Sequence, residues 1–205
     1  MRKLVLIRWA VIFAMTVILV SCEKNDTVFI EDDDAQDLSI FSDKGNNVMS
    51  CYINGKSFRT RDRILYYGYR TVQTAELALL KDSSASNNDT LVIEWESDPY
   101  SSGIQTVSLV LSVKKGFSYS DFNLLQDQRL SIDGISGYFM INQDRSQKGI
   151  GSIYFHQALL MQSNAVEIEG QLSGIFEATL PSYKITRGRF DHSLPVGYPD
   201  GVVFF

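Results

Sequence analysis

An all-β fold, a single antiparallel β-sandwich or a partly closed barrel with one short helix near 118–128, is what the sequence predicts for residues 47–205. Three observations carry it. From Val48 onward, short runs rich in β-branched and aromatic residues recur between turn residues, the spacing of antiparallel sheets. Two of these runs alternate cleanly: Leu91, Ile93 and Trp95 share one face of Thr90–Glu96, and Val107, Leu109, Leu111 and Val113 share one face of Gln105–Val113. Between Val48–Ile53 and Lys56–Arg61 stands Asn54-Gly55, a two-residue hairpin signal whose residues tolerate the positive φ of a type I′ turn.

The remaining runs follow in order: Ile64–Arg70, Val72–Leu80, Thr90–Glu96, Ile104–Val113, Ile135–Asn142, Ile150–Met161, Val166–Thr179 and Tyr183–Asp191. Turn chemistry separates them at Asn87-Asn88-Asp89, Asp98-Pro99, Lys115-Gly116, Gln147-Lys148-Gly149 and Pro181-Ser182. Gly170 and Gly174 interrupt the longest run, which predicts a bend that carries the strand round a corner between sheets. The helical exception starts at Ser118, where Ser118-Tyr-Ser-Asp121 has the form of a capping sequence, and runs to about Gln128 with Phe122 and Leu125 on one side.

Ahead of this body the chain reads as an address. Arg2 and Lys3 precede an apolar stretch, Leu4 to Val20, broken only by Arg8, as in an export signal. The stretch falls short of a clean span, which wants about 20 predominantly apolar residues. It ends in Leu19-Val20-Ser21-Cys22, which resembles the lipobox of bacterial lipoproteins. That resemblance implies removal of residues 1–21 and lipid on Cys22, with several acyl chains on one residue anchoring the protein stably to a membrane. Residues 22–46 carry eight acids (Glu23, Asp26, Glu31, Asp32, Asp33, Asp34, Asp37, Asp43) against Lys24 and Lys44, and such a like-charged block predicts a solvated, disordered tether. Acids soon after the lipid-bearing Cys also resemble the surface-export signals of Bacteroidota lipoproteins, which implies an outer-membrane location with outward display.

Charge and composition then exclude whole classes of function. The chain has a formal charge of −5, and the tether's excess of acids leaves the body close to neutral, so a concentrated basic surface for nucleic acid is missing. Glu31–Asp34 lacks the spaced oxygen ligands and Gly of a calcium loop. Cys51 is the one cysteine besides Cys22. Once Cys22 is lipidated no internal disulfide is available, and the alternating surroundings of Cys51 predict an inert buried thiol.

Two histidines, His156 and His192, bound histidine chemistry. There is no His-Glu-x-x-His, Cys-x-x-Cys or Gly-x-x-x-x-Gly-Lys, so no cofactor and no metal is expected. Asp191-His192-Ser193 has the residues of a triad, but neighbours on a strand point to opposite faces. Gly134-Ile-Ser-Gly137 lacks the nucleophile-elbow spacing and reads as a turn into a strand. Glu94 and Glu96 flank Trp95 on one face about 7 Å apart, within the range of an inverting glycosidase pair, although any half-exposed strand shows the same pattern. The cluster that best fits binding is Arg59, Arg61, Arg63 and Arg70 with Tyr66 and Tyr67, cations beside aromatic platforms able to hold carboxylate, sulfate or sugar rings. A solvated strand face with tyrosines anchoring the sheet explains the same residues.

Met49-Ser-Cys-Tyr-Ile-Asn-Gly-Lys-Ser-Phe58, Gly170-Gln-Leu-Ser-Gly174 and Ile185-Thr-Arg-Gly-Arg-Phe-Asp191 together resemble uncharacterised β-rich lipoproteins of Bacteroidota. The resemblance implies the compartment and the fold and brings no catalytic residues. The expectation is a non-enzymatic envelope lipoprotein that binds an extracellular, glycan-like ligand through Arg59–Arg70. Its rivals are an assembly subunit that adds the terminal Gly201-Val-Val-Phe-Phe205 to a sheet edge of another envelope protein, and a glycoside hydrolase around Glu94 and Glu96.

Overall fold

The computed structural model describes residues 29–60, 63–64, 71–72, 75–81, 87–97, 103–162, 168–194 and 202–204. The strands are β1 (Glu31–Asp32), β2 (Ala35–Ser39), β3 (Val48–Ile53), β4 (Lys56–Arg59), β5 (Arg63–Ile64), β6 (Thr71–Val72), β7 (Ala75–Leu80), β8 (Asn88–Glu96) and β9 (Thr106–Lys114). Helix α1 (Tyr119–Asn123) follows, then β10 (Gln128–Ile132), β11 (Gly137–Ile141), β12 (Ile150–Gln162), β13 (Ile168–Thr179), β14 (Lys184–Leu194) and β15 (Val202–Phe204). A six-stranded sheet, β10-β12-β13-β14-β3-β4, packs against a five-stranded one, β11-β9-β8-β7-β15. Both sheets keep open edges among the described residues, so the architecture is a sandwich and not a closed barrel. Among the described residues all pairs are antiparallel except β15, which lies parallel to β7 with Val203 opposite Ala78.

Local chemistry explains the elements. Asn54 and Gly55 take φ of +52° and +78°, and Ile53 pairs with Lys56 across the turn, the two-residue hairpin the dipeptide predicts. Ser118 caps α1 with a reciprocal Asp121 contact: the Ser118 N–H donates to Asp121 Oδ2 at 3.0 Å. The helix stops at Asn123, earlier than its sequence suggests. Leu124 faces solvent and Asp127 takes φ +57°, so the chain turns there into β10, which begins where the helix was expected to end.

The sheets meet on aromatic rings. Trp95 from β8 stacks on Phe176 from β13, with centroids 5.4 Å apart and planes 2° from parallel. Phe139 from β11 stacks on Phe176 from its own side at 5.7 Å. Phe190 tilts against Trp95 at 5.3 Å and Phe155 meets Phe190 edge-on at 6.1 Å. Such pairs contribute about 0.5–1.5 kcal/mol each beyond their area burial. The alternating faces of β8 and β9 supply the rest, with Leu91, Ile93, Val107 and Leu109 fully buried.

Gly170 and Gly174 do not turn a corner. β13 stays in one sheet and pairs along its length with β12 and β14. A methyl group at Gly174 would lie 2.6 Å from the Phe190 ring, so the missing side chain is the space that ring occupies. A second close approach shapes β14. Ile185 and Phe190 both face the core although they are five residues apart, because a bulge between Thr186 and Arg189 resets the alternation. Arg187 takes φ +51° there, and Gly188 lies against Phe176, where a methyl group would be 2.6 Å from the ring.

The acidic tether also ends sooner than its composition predicts. Residues 31–47 form a strap, with β1 and β2 paired and then an irregular run across the outer face of the six-stranded sheet. Ala35, Leu38, Ser39 and Asn46 are buried under it while Asp33, Asp34 and Asp37 face water. The boundary near residue 46 is therefore corrected: apolar positions between the acids give the strap an inner side, and Arg189 of β14 takes up the charge of Asp32.

Replacing Gly188 by Ala is expected to lower stability by about 1–3 kcal/mol through overpacking, measured by urea unfolding. Phe176→Leu in the same chain should shrink that penalty; equal penalties in both backgrounds would show that Gly188 and Phe176 are not coupled.

Candidate binding groove

A buried carboxylate fixes the strap. Asp191, 3% exposed on β14, accepts hydrogen bonds from the Gly45 N–H at 2.7 Å, the Asn46 N–H at 3.1 Å and the Lys44 N–H at 3.2 Å. Three backbone donors on one ionised acceptor form a charge-assisted cradle. Gly45 is required in it: its φ is +73° and a methyl group would fall 1.9 Å from Ser193 Oγ. Further along, the Ser39 N–H donates to Ser50 Oγ at 3.0 Å and Tyr52 Oη donates to the Gln36 carbonyl at 2.6 Å. His192, the next residue on β14, is buried, and the desolvation pushes its pKa down to about 3. Asp191 serves the strap, so the two do not share a site.

Beside the strap the β14 bulge presents two arginines on the outer face. Arg189 donates to Asp32 of β1 and, at 2.8 Å, to the Ser39 carbonyl. The guanidinium, together with the Asp34 N–H, holds the Asp32 carboxyl below the usual carboxylate range. Arg187 donates to the Asp34 carbonyl at 2.6 Å.

Between strap and sheet opens a groove of about 560 Å³, within the roughly 300–1,000 Å³ of small-ligand sites. Register defines its floor. Arg129, Tyr154, Ile175 and Arg189 form one row across β10, β12, β13 and β14, with Ser152 and Glu177 paired in the next. Phe41 and Ile40 of the strap form the wall. Phe41 and Ile175 are 43% and 38% exposed, two large apolar side chains facing one polar hollow. Around the rim, Phe41 meets His156 edge-on at 5.6 Å. His156 lies between Asp43 at 3.5 Å and Asp127 at 3.8 Å, and Tyr154 Oη donates to Asp127 at 3.1 Å. Arg129 sits over the Tyr154 ring at 5.7 Å.

The expected site is only partly described. Arg59 is exposed on β4, with its guanidinium 4.8 Å from the centre of the Phe29 ring, and it shares the outer face through the Ser50 register. Arg63 is described for its backbone, in β5. Arg61, Tyr66, Tyr67, Arg70, the signal segment and Cys22 lie outside the described residues. Glu94 and Glu96 share the outer face of the opposite sheet with Glu76, but Trp95 points into the core. Glu94 accepts from Ser108 Oγ at 2.6 Å and Gln143 Nε2 at 3.1 Å. Burial first, then the neighbouring Glu94 and Glu96 charges, raises the Glu76 pKa. Asp133 accepts from the Ile135 and Ser136 N–H groups, which forms the turn read in Gly134–Gly137. Burial pushes the Cys51 thiol pKa up, in keeping with an unreactive core residue. Among the described residues no group of acids, histidines and cysteines is arranged to hold a metal, and no helix is long and apolar enough to cross a membrane.

Sequence reasoning missed Arg129, Arg187, Arg189, Phe41, Ile175 and Glu177. One signal was present: Arg187-Gly-Arg189 sets two cations two positions apart, a spacing that strand alternation puts on one side. Comparison with protein-family models, curated proteins and solved structures finds no match.

Asp191→Ala leaves three strap N–H groups without their acceptor and should cost about 1–3 kcal/mol in denaturant unfolding; an unchanged midpoint would remove the carboxylate from its anchoring role. His192 sets an acid limit. Its folded pKa lies below the unfolded value of about 6.5, so below that pH the unfolded chain binds a proton the folded chain refuses. Stability is fully present above about pH 6.5 and falls by up to about 1.4 kcal/mol per pH unit beneath it until the folded state protonates near pH 3. His192→Leu should flatten the loss of melting temperature between neutral pH and pH 5, and an unchanged slope would contradict a buried neutral imidazole.

Proposed function

We propose that this chain is a lipid-anchored envelope lipoprotein of the outer membrane whose β-sandwich binds an extracellular, glycan-like ligand without chemical conversion. The groove under the strap carries the reading. It combines cations, two carboxylates, a hydroxyl and two exposed apolar side chains in one hollow, the mixture of an apolar lining with a few placed polar groups that small-ligand sites use. The anchoring half rests on Leu19-Val20-Ser21-Cys22 following the apolar signal. The strap fits it, since a chain leaving the membrane at Cys22 would arrive at the rim of the groove.

One observation favours a second reading, assembly with other envelope proteins. Among the described residues β15 is the one parallel strand, and it covers the β7 edge with three residues, so its departure would bare a strand edge for another chain.

Both readings are tested on the full-length protein. Fatty-acid labelling in cells should mark it through Cys22 and vanish in Cys22→Ser. The purified lipoprotein in detergent should bind glycans on an array and scatter light as a single copy. An unlabelled chain would overturn the anchor; a silent array with particles that lengthen, and shrink when 202–205 are deleted, would replace binding with assembly.

A further inference from the structure

We propose that the groove recognises an oligosaccharide carrying a carboxylate, with Arg129 as the group that reads the acid; this rests on the ligand-binding reading above. Of the three groove arginines, Arg189 is committed to Asp32 and Ser39, and Arg187 to the Asp34 carbonyl. Arg129 has no hydrogen bond or ion pair among the described residues. Its guanidinium lies over the Tyr154 ring at 5.7 Å. It is exposed beside that ring, its N–H donors are not taken by any described side chain, and a guanidinium fork can grip a carboxylate with two parallel bonds.

The rest of the floor suits a sugar. Ile175 stands two strands from Arg129 in the same row, about 10 Å away. With Phe41 across the hollow it offers apolar surface to the C–H face of a ring. Glu177 and Ser152, paired side by side, offer an ionised acceptor and a hydroxyl to sugar hydroxyl groups. An acidic peptide fits less well. Most of the floor is the face of a sheet whose backbone groups are used in its own ladders, so a peptide main chain would find few partners there. Two of the groove's arginines are already taken by the strap, Arg189 by the Asp32 carboxylate and Arg187 by the Asp34 backbone carbonyl. Arg189 with Asp32 shows the pairing in use: the same face neutralises a carboxylate delivered by the chain itself.

The test is calorimetry of the full chain in non-ionic detergent with a panel of uronate and sialyl oligosaccharides, their neutral methyl esters, and oligoglutamate. At least one acid should bind ten-fold or more tightly than its ester. Arg129→Gln should erase that difference, and Phe41→Ala should weaken acid and ester alike; both positions are on the surface, and both variants are expected to keep the parent's melting temperature. Equal binding of acid and ester, or a preference that survives Arg129→Gln, overturns the carboxylate reading; if Phe41→Ala still weakens those sugars, the groove remains a glycan site. Oligoglutamate bound through Arg129 in place of sugars would make the partner an acidic peptide. Silence from every probe would overturn this inference and glycan binding together.

Discussion

The contact between Gly188 and the Phe176 ring holds both halves of the structure in place. Inside, the absent side chain admits the ring that Trp95 and Phe139 stack on, and so brings the two sheets together. Outside, the same bulge resets β14 so that Arg187 and Arg189 emerge beside the strap. A regular strand could not do both, because Ile185 and Phe190 would then face opposite ways. Core packing and groove chemistry are two sides of one backbone irregularity.

The strap depends on that arrangement. An acidic segment has little reason to lie on a protein surface unless its charge is met, and here Arg189 meets Asp32 while Arg187 takes a strap carbonyl. Asp191 reverses the polarity further along, a carboxylate of the sheet held by N–H groups of the strap. The two ends are thus fixed by opposite charge logic. Phe41 is held between them at the mouth of the groove, with its ring against His156. The wall of the proposed ligand site is therefore built by the strap itself.

Much of the fold was legible because period-two alternation and turn chemistry are local. Leu91, Ile93 and Trp95 fell on one buried face, Asn54-Gly55 made its hairpin, and Ser118 capped its helix. What the sequence hid was set by distant partners. β10 has only Leu130 and Ile132 as apolar alternating positions and exists because β12 pairs with it. The strap reads as a charge run until Arg187 and Arg189, far along the chain, are placed beside it. Gly170 and Gly174 were visible as exceptions, but whether a glycine makes a bend or a space depends on the ring that approaches it. The groove was less legible still. Its floor draws single residues from four strands, and no local pattern marks Arg129, Ile175 and Glu177 as neighbours. Arg59, expected in a basic cluster whose other members lie mostly outside the described residues, shares an outer face with Arg189 through Ser50.

The central claim is that the strap is an integral part of the fold and keeps the groove preformed. Amide hydrogen exchange at Gly45 and Asn46 tests it most directly. If the Asp191 cradle is as described, these amides exchange only when the whole sandwich opens, with the same protection as the strands of β14. Exchange as fast as in exposed turns would mean that the strap detaches by itself, and the groove would then have no permanent wall.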